Sequence, residues 1–378
     1  MSNARNLANL LGTDTQITTA DIADGVFQAN RNLIINGAMQ VAQRGTSQTG
    51  ITSGGYKEAP DRHNFNVVTA GTWTVSQSTT APEGFSNSYK VECTTADASL
   101  AASDVVRLRQ RIEGQNLQQL KKGTSNAESV TLSFYVRSSK TGTYIVQLKD
   151  KDNNRHIAKS YNITSANTWQ YVSITYDGDT TGSLDNDNAE SLSLHFFLAA
   201  GSNFTSGTLD TSWATTTTAN SAVGQVNLAD AVGNEWYITG IQLEVGDTAT
   251  PFEHRSFGDE LAKCQRYFCK SYNYDIAPGA SASTNNLKGA VSVSGGTSTS
   301  NRPFWSAGQY PVTMRSEPTI VLYHYDGTSG KITGGSFASY NGSAVNIGDR
   351  GFNLHPTGNV SNSNDEDHYA IFTASAEL

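Results

Sequence analysis

Between Trp236 and Val245 the chain alternates in character. Trp236, Ile238, Gly240, Gln242 and Glu244 fall on one side, Tyr237, Ile241, Leu243 and Val245 on the other. A period of two predicts a strand with one covered face. Pro251 and Phe252 stop it, and the spacing of Leu261, Cys264, Tyr267 and Phe268 then predicts a helix around Gly258 to Lys270. The same alternation marks Trp73 with Val75, and Tyr89, Val91 and Cys93. Val106, Leu108 and Ile112 continue it with one slip that suggests a bulge, and Trp169–Tyr176 and Leu192–Leu198 follow. Val130-Leu132-Phe134-Val136 and Tyr144-Val146-Leu148, joined by a loop at Ser138–Gly142, are expected to pair as a hairpin. Leu33-Ile34-Ile35-Asn36-Gly37 is expected to open this domain as its first strand, with Trp73, Trp169 and Trp236 in its core. Strands at short intervals with turn residues between them predict a β-sandwich, and their number suits a jelly roll. Gly201–Gly224, polar and containing Thr215–Thr218, reads as a surface loop at one end of the sandwich.

Beyond the helix a second β region is expected, with strands at Tyr310–Arg315, Thr319–Tyr325 and Tyr369–Ala374. Tyr323, His324 and Tyr325 would place aromatics on both faces of one strand, which such strands use when both faces are covered. At the other end, Ser2 can cap a short helix carrying Leu7, Leu10 and Leu11 and stopped by Gly12, followed by a polar stretch up to Phe27. A segment with a few apolar anchors and nothing of its own to bury them is expected to dock on a partner. The organisation expected is therefore a docking arm (1–30, extended or helical), a jelly-roll domain (31–256), a connecting helix (257–272) and a smaller C-terminal β-sandwich (273–378).

Composition narrows the function. Hydrophobic residues make up 37% and charged residues 16%, while glycine numbers 34, a balance that favours strands and tight turns over helices. The net charge of −8, with no basic run longer than Lys121-Lys122, argues against nucleic acid. No apolar run approaches the ~20 residues of a membrane span. The Met1–Arg5 start lacks the apolar core of a signal peptide, so export by the general pathway is not expected. Cys93, Cys264 and Cys269 form no disulfide framework. On a helix Cys264 and Cys269 would stand about 140° apart, so all three read as small buried hydrophobes.

No catalytic signature is present: no G-x-S-x-G, H-E-x-x-H, G-x-x-x-x-G-K-[ST] or G-x-G-x-x-G. The seven histidines are scattered. Glu235, Glu244 and Glu253 could be invoked as a hydrolytic pair, but any sandwich offers such residues. Sugars stack their C–H faces on aromatic rings, and Trp213, Trp305, Tyr272 and Tyr274 lie in polar, loop-like surroundings that suit this. Asp177-Gly178-Asp179 and Asp185-Asn186-Asp187-Asn188 read as solvated turns, because neither completes a calcium loop.

Several segments carry a resemblance. They are Asn32–Gly45 (NLIINGAMQVAQRG), Ala59–Arg62 (APDR), Arg109–Gly114 (RQRIEG), Val130–Val136, Ile238–Arg255 (ITGIQLEVGDTATPFEHR), Cys264–Phe268 (CQRYF) and Tyr310–Arg315 with Pro318–Ile320. At these residues the chain resembles bacteriophage tail-fibre and virion-appendage proteins that carry a jelly roll similar to carbohydrate-binding modules. The resemblance implies a non-enzymatic virion component, made in the host cytoplasm and released by lysis. It would attach to the host surface through glycan or lipopolysaccharide, and dock on other virion proteins through Leu7, Leu10, Leu11 and Phe27. Related jelly rolls hold a structural calcium, which Asp61 and Glu244 would bind here. A purely structural head decoration or tail adaptor without glycan binding is the alternative. The C-terminal region, rich in Gly and Ser and short of large aliphatics, is expected to close its sheet edges as a homotrimer.

Overall fold

The computed structural model describes residues 30–281, 290–293, 306–334, 337–357 and 368–378. The chain divides into two units, Met1–Arg31 and Asn32–Leu378. The expected docking residues Leu7, Leu10, Leu11 and Phe27 lie outside the described residues, as does Trp305.

The second unit is mainly β: a jelly-roll sandwich, a short helix and a smaller β domain. The sandwich strands are β1 (Ser47–Tyr56), β2 (Asn64–Ser78), β3 (Ser88–Thr95), β4 (Val105–Glu113), β5 (Val130–Ser138), β6 (Gly142–Asp150), β7 (Arg155–Ile163), β8 (Gln170–Tyr176), β9 (Glu190–Ala200), β10 (Ala214–Thr215) and β11 (Glu235–Val245). They run in the order β10-β7-β6-β9-β4-β2-β3-β11-β5-β8, with β1 alongside β2. The order folds into two layers because β2 belongs to both. Its first half (Asn64–Val68) pairs with β4 and its second half (Thr72–Ser78) with β3. Between them Thr69 (φ 51°) and Gly71 (φ 72°) turn the corner in the left-handed region. A Cβ on Gly71 would stand 2.5 Å from the Thr95 carbonyl oxygen, so glycine is required there.

The core between the layers takes alternate residues of both, including Trp73, Trp236, Phe134, Phe196 and Tyr144, all 2% exposed or less. Trp73 and Trp236 are core as expected. Trp169 is not: it precedes β8, half-buried, with its ring edge against Tyr237. In β4 the slip is Gln110. Val106, Leu108 and Ile112 keep strict alternation, and Gln110 fills the intervening core-side slot, bonding the backbone N–H and carbonyl of Ile35 at 2.8 Å each.

Three expectations about how the sandwich segments connect are corrected. β5 and β6 are not a hairpin: β5 pairs with β11 and β8, β6 with β7 and β9, so the Ser138–Gly142 turn passes from one layer to the other. Leu33–Gly37 is not a strand. Asn36 (φ 60°) and Met39 (φ 57°) break it, and it lies along β11 through Leu33 N–H to the Leu243 carbonyl and Ile241 N–H to the Gly37 carbonyl. Gly201–Gly224 does not project from one end. It holds a helical turn (Ser202–Thr205) and β10, and sets Phe204, Leu209 and Ala222 against Val105, Ile145, Ala158 and Phe197. β1 and β7 carry too weak an alternation to be read from sequence.

Ser256 caps the Phe257–Gln265 helix, accepting from Asp259 N–H. The helix ends earlier than its spacing suggests, because Phe268–Lys270 forms β12 in the second sheet. The other strands there are β13 (Val291–Val293), β14 (Ser306–Gln309), β15 (Thr319–Tyr323), β16 (Lys331–Thr333), β17 (Ser339–Val345), β18 (Gly351–Thr357) and β19 (His368–Ser375). β12, β13, β15 and β16 all pair with β19. Tyr310–Arg315 is not a strand, and β15 stops at Tyr323. His324 and Tyr325 enter a turn closed by a Tyr323–Ser329 bridge, so no strand there presents aromatics on both faces.

Candidate functional site

The outer face of one layer is built from the strand register. Because Val106, Leu108, Gln110 and Ile112 point inward, Arg107, Arg109 and Arg111 point out. β9 places Phe197 beside Arg107, His195 beside Arg109 and Ser193 beside Arg111. β6 then sets Gln147 beside His195 and Lys149 beside Ser193, while β2 sets Asn66 and Asn64 beside Arg107 and Arg109. One row thus reads Asn64, Arg109, His195, Gln147. The Phe204–Ala222 loop roofs the apolar end around Phe197 and Ile145, and its Asp210 reaches His156 beside the polar row.

Two arginines are pre-oriented. Arg107 Nε donates to Asn66 Oδ1 at 3.0 Å and Arg109 Nε to Asn64 Oδ1 at 2.8 Å. The Arg107 guanidinium also stands 5.7 Å from the Phe197 ring. Arg111 pairs with Glu190 at 3.2 Å. Among the described residues Arg107, Arg109 and Lys149 have no carboxylate within ion-pair distance. His195 is 4% exposed; its Nε2 meets Ser193 Oγ at 3.0 Å and its Nδ1 has no partner. Burial first, then Arg107, Arg109, Lys149 and Arg111, hold its pKa far below the usual range, so the ring is neutral. Gln147 Nε2 meets His156 Nδ1 at 2.6 Å, and His156 Nε2 meets Asp210 Oδ2 at 2.6 Å. The face offers the forked donors of Arg107 and Arg109, while the Gln147 amide and the neutral His195 ring are buried at 2% and 4% exposure. Such forks bind oxygen-rich ligands.

The aromatic residues singled out from sequence lie elsewhere. Trp213 is half-buried against the core, its Nε1–H donates to the Asp177 carbonyl at 2.8 Å, and Lys122 Nζ lies 5.1 Å from its ring. Tyr272 is 5% exposed and packs on Tyr323. Tyr274 is exposed, with its hydroxyl accepting from Ala42 N–H at 2.8 Å and its ring against Phe257. No ring contact joins these three among the described residues.

Asp61 and Glu244 do not fit a calcium site, which needs six to eight oxygens. Asp61 accepts from Gln43 at 2.7 Å and pairs with Arg44 at 3.4 Å; Glu244 accepts from Gln242 at 2.8 Å and from Thr250. No cluster of three metal-ligating side chains occurs among the described residues. Asp179 is no solvated turn residue. It is 5% exposed and paired with Arg155 at 2.7 Å and Lys122 at 3.0 Å. The signal that could have found the outer face is R-L-R-Q-R at 107–111, three cations at period two inside a strand of a poorly charged chain.

No family model matches the chain, and no curated protein matches it. Similar solved structures include the enzymatically active domain of tailspike protein 4 of bacteriophage CBA120, 12% identical, covering 57% of this chain and 21% of that one, TM-score 0.29. The family 11 carbohydrate-binding module of Clostridium thermocellum is 11% identical, covering 55% and 99%, TM-score 0.28. The N-terminal cellulose-binding domain of Cellulomonas fimi β-1,4-glucanase C is 11% identical, covering 47% and 90%, TM-score 0.27.

Proposed function

We propose that this protein is a non-enzymatic virion appendage that binds a host-surface glycan on the outer face of its β2–β4–β9–β6 layer. One observation carries the glycan reading. Two oriented guanidinium groups surround a buried neutral His195 whose Nδ1 has no intramolecular partner. The terminal nitrogens of Arg107 and Arg109 have no hydrogen-bond partner among the described residues and are not sealed from solvent, so they are free to donate to the oxygens of a saccharide. The virion assignment draws on the tail-fibre resemblance of the segments around Arg109–Gly114 and Ile238–Arg255.

In this reading Leu7, Leu10, Leu11 and Phe27 dock on the particle and residues 273–378 hold three copies together. Sedimentation of the purified protein as a 40.4 kDa monomer would remove the trimer from the proposal. A glycan array probed with the full chain is expected to show binding to at least one saccharide, lost in Asn66→Trp, which crowds the face. Silence across the array, with the protein located on virions by a C-terminal antibody, would instead favour a structural head or tail part.

A further inference from the structure

The outer face is cationic in a chain whose net charge is −8. Arg107, Arg109 and Arg111 lie on β4 and Lys149 on β6, two strands of one layer with β9 between them, opposed on that face by Glu190, which Arg111 already holds. Neighbouring strands stand about 4.8 Å apart, and residues two apart in a strand about 7 Å, so these long side chains can reach one ligand. The terminal nitrogens of Arg107 and Arg109 and Lys149 Nζ have no hydrogen-bond partner among the described residues, and none is sealed from solvent without one. Such an arrangement costs repulsion in the empty protein. Burial first, and then nearby cations, lower the pKa of Arg107, Arg109 and Lys149. A carboxylate or phosphate between them would relieve that repulsion, and the fork geometry of guanidinium suits either oxyanion.

We infer that the ligand of this face is an acidic saccharide, with its oxyanion held by Arg107, Arg109 and Lys149. The inference rests on the glycan reading above and adds the charge class to it. Three unpaired cations on a patch a few residues wide suit one or two anionic groups rather than the extended phosphate backbone of a nucleic acid.

The test titrates the full chain with three size-matched oligosaccharide probes: a galacturonate oligomer, a phosphorylated mannose oligomer and a neutral galactose oligomer. Binding of either acidic probe at least tenfold tighter than the neutral one, weakening as salt rises, is expected, and the better acidic probe identifies the anion. Lys149→Gln removes a side chain with no hydrogen-bond partner and should fold normally, yet weaken acidic binding roughly tenfold. Arg109→Lys should weaken it too by losing the fork, whereas Lys121→Gln, at an exposed charge away from this face, should leave it unchanged. Neutral saccharides on the array binding as tightly as acidic ones, with Lys149→Gln silent, would overturn the acidic assignment while leaving the glycan reading standing. A single-stranded oligonucleotide outcompeting both acidic probes would also overturn it. No binding to any saccharide, on the array or here, would remove both.

Discussion

His63 shows what burial does to a single side chain. It is 3% exposed, its Nδ1 lies 3.0 Å from the Asp61 carbonyl, and burial pulls its pKa down to about 4. The folded chain therefore keeps the ring neutral where the unfolded chain, with a histidine near 6.5, takes up a proton. Its contribution to stability is complete above pH 6.5 and is lost as the pH falls toward 4. His195 acts in the same sense. Asp61 acts in the opposite one, because burial raises its carboxyl. The informative comparison is thus between His63→Gln and the parent chain. Thermal melts are expected to show a shallower fall in Tm between pH 6.5 and 4 for the variant, and parallel curves would mean the ring carries no such linkage. Nothing in the sequence around His63 marks it as buried. Its neighbours Asp61, Arg62 and Asn64 are polar, and all are enclosed by residues distant in the chain.

Strand β11 shows the same dependence at the scale of an element. Its alternation holds from Trp236 to Ile238 and then changes phase, so that Ile241 and Leu243 point into the core on the opposite parity. The change is a bulge. Gly240 has φ +63°, and the pairing with β5 shifts register between Thr239 and Gln242. A Cβ there would stand 2.7 Å from the Phe85 ring and 3.1 Å from Tyr135, in a conformation that L side chains rarely adopt. Gly240→Ala is therefore expected to destabilise the sandwich by about 2 kcal/mol, read as a lower denaturant midpoint at unchanged slope. A midpoint equal to the parent's would mean the ring of Phe85 and the backbone relax freely. The glycine was visible in sequence inside a strand pattern, but the change of phase depends on which strand lies next to it.

For the whole molecule, four of the segments singled out in the sequence, RQRIEG, APDR, NLIINGAMQVAQRG and CQRYF, meet at one place, the contact between sandwich and C-terminal domain. Glu113 of RQRIEG has a fully buried side chain and accepts from Arg266 Nε and Nη2 at 2.9 and 2.8 Å and from Tyr267 Oη, both residues of CQRYF. Burial would raise its pKa, but Arg266 and Tyr267 outweigh that and lower it. Arg62 of APDR pairs with Glu377 and stacks 3.3 Å from the Tyr267 ring, while Gln43 of NLIINGAMQVAQRG donates to the Phe268 carbonyl at 2.8 Å. These motifs fasten two β domains together and adjoin the cationic face, since RQRIEG itself contains Arg109 and Arg111, and Arg111 donates to the Leu378 carbonyl of the C-terminal domain. Breaking a buried pair by removing one partner costs about 3–5 kcal/mol. Arg266→Ala is thus expected to split one calorimetric transition into two, with the C-terminal domain melting first. A single transition at the parent's temperature would show that the domains hold together by their apolar contacts alone.

What the sequence determined by itself was the class of fold and the identity of its best strands. Alternation records which side of a strand is covered, and the apolar sides of β3, β5, β9 and the first half of β11 were plain in it, with Trp73 and Trp236 inside. Alternation carries no record of which strand is the neighbour. Only the tertiary structure therefore decided that β5 and β6 stand in opposite layers, that β2 belongs to both, and that Arg107, Arg109 and Lys149 share a face with His195. Those facts are set by pairings between residues up to about a hundred positions apart. They depend on how two layers close over a common core, a condition no local run of residues expresses.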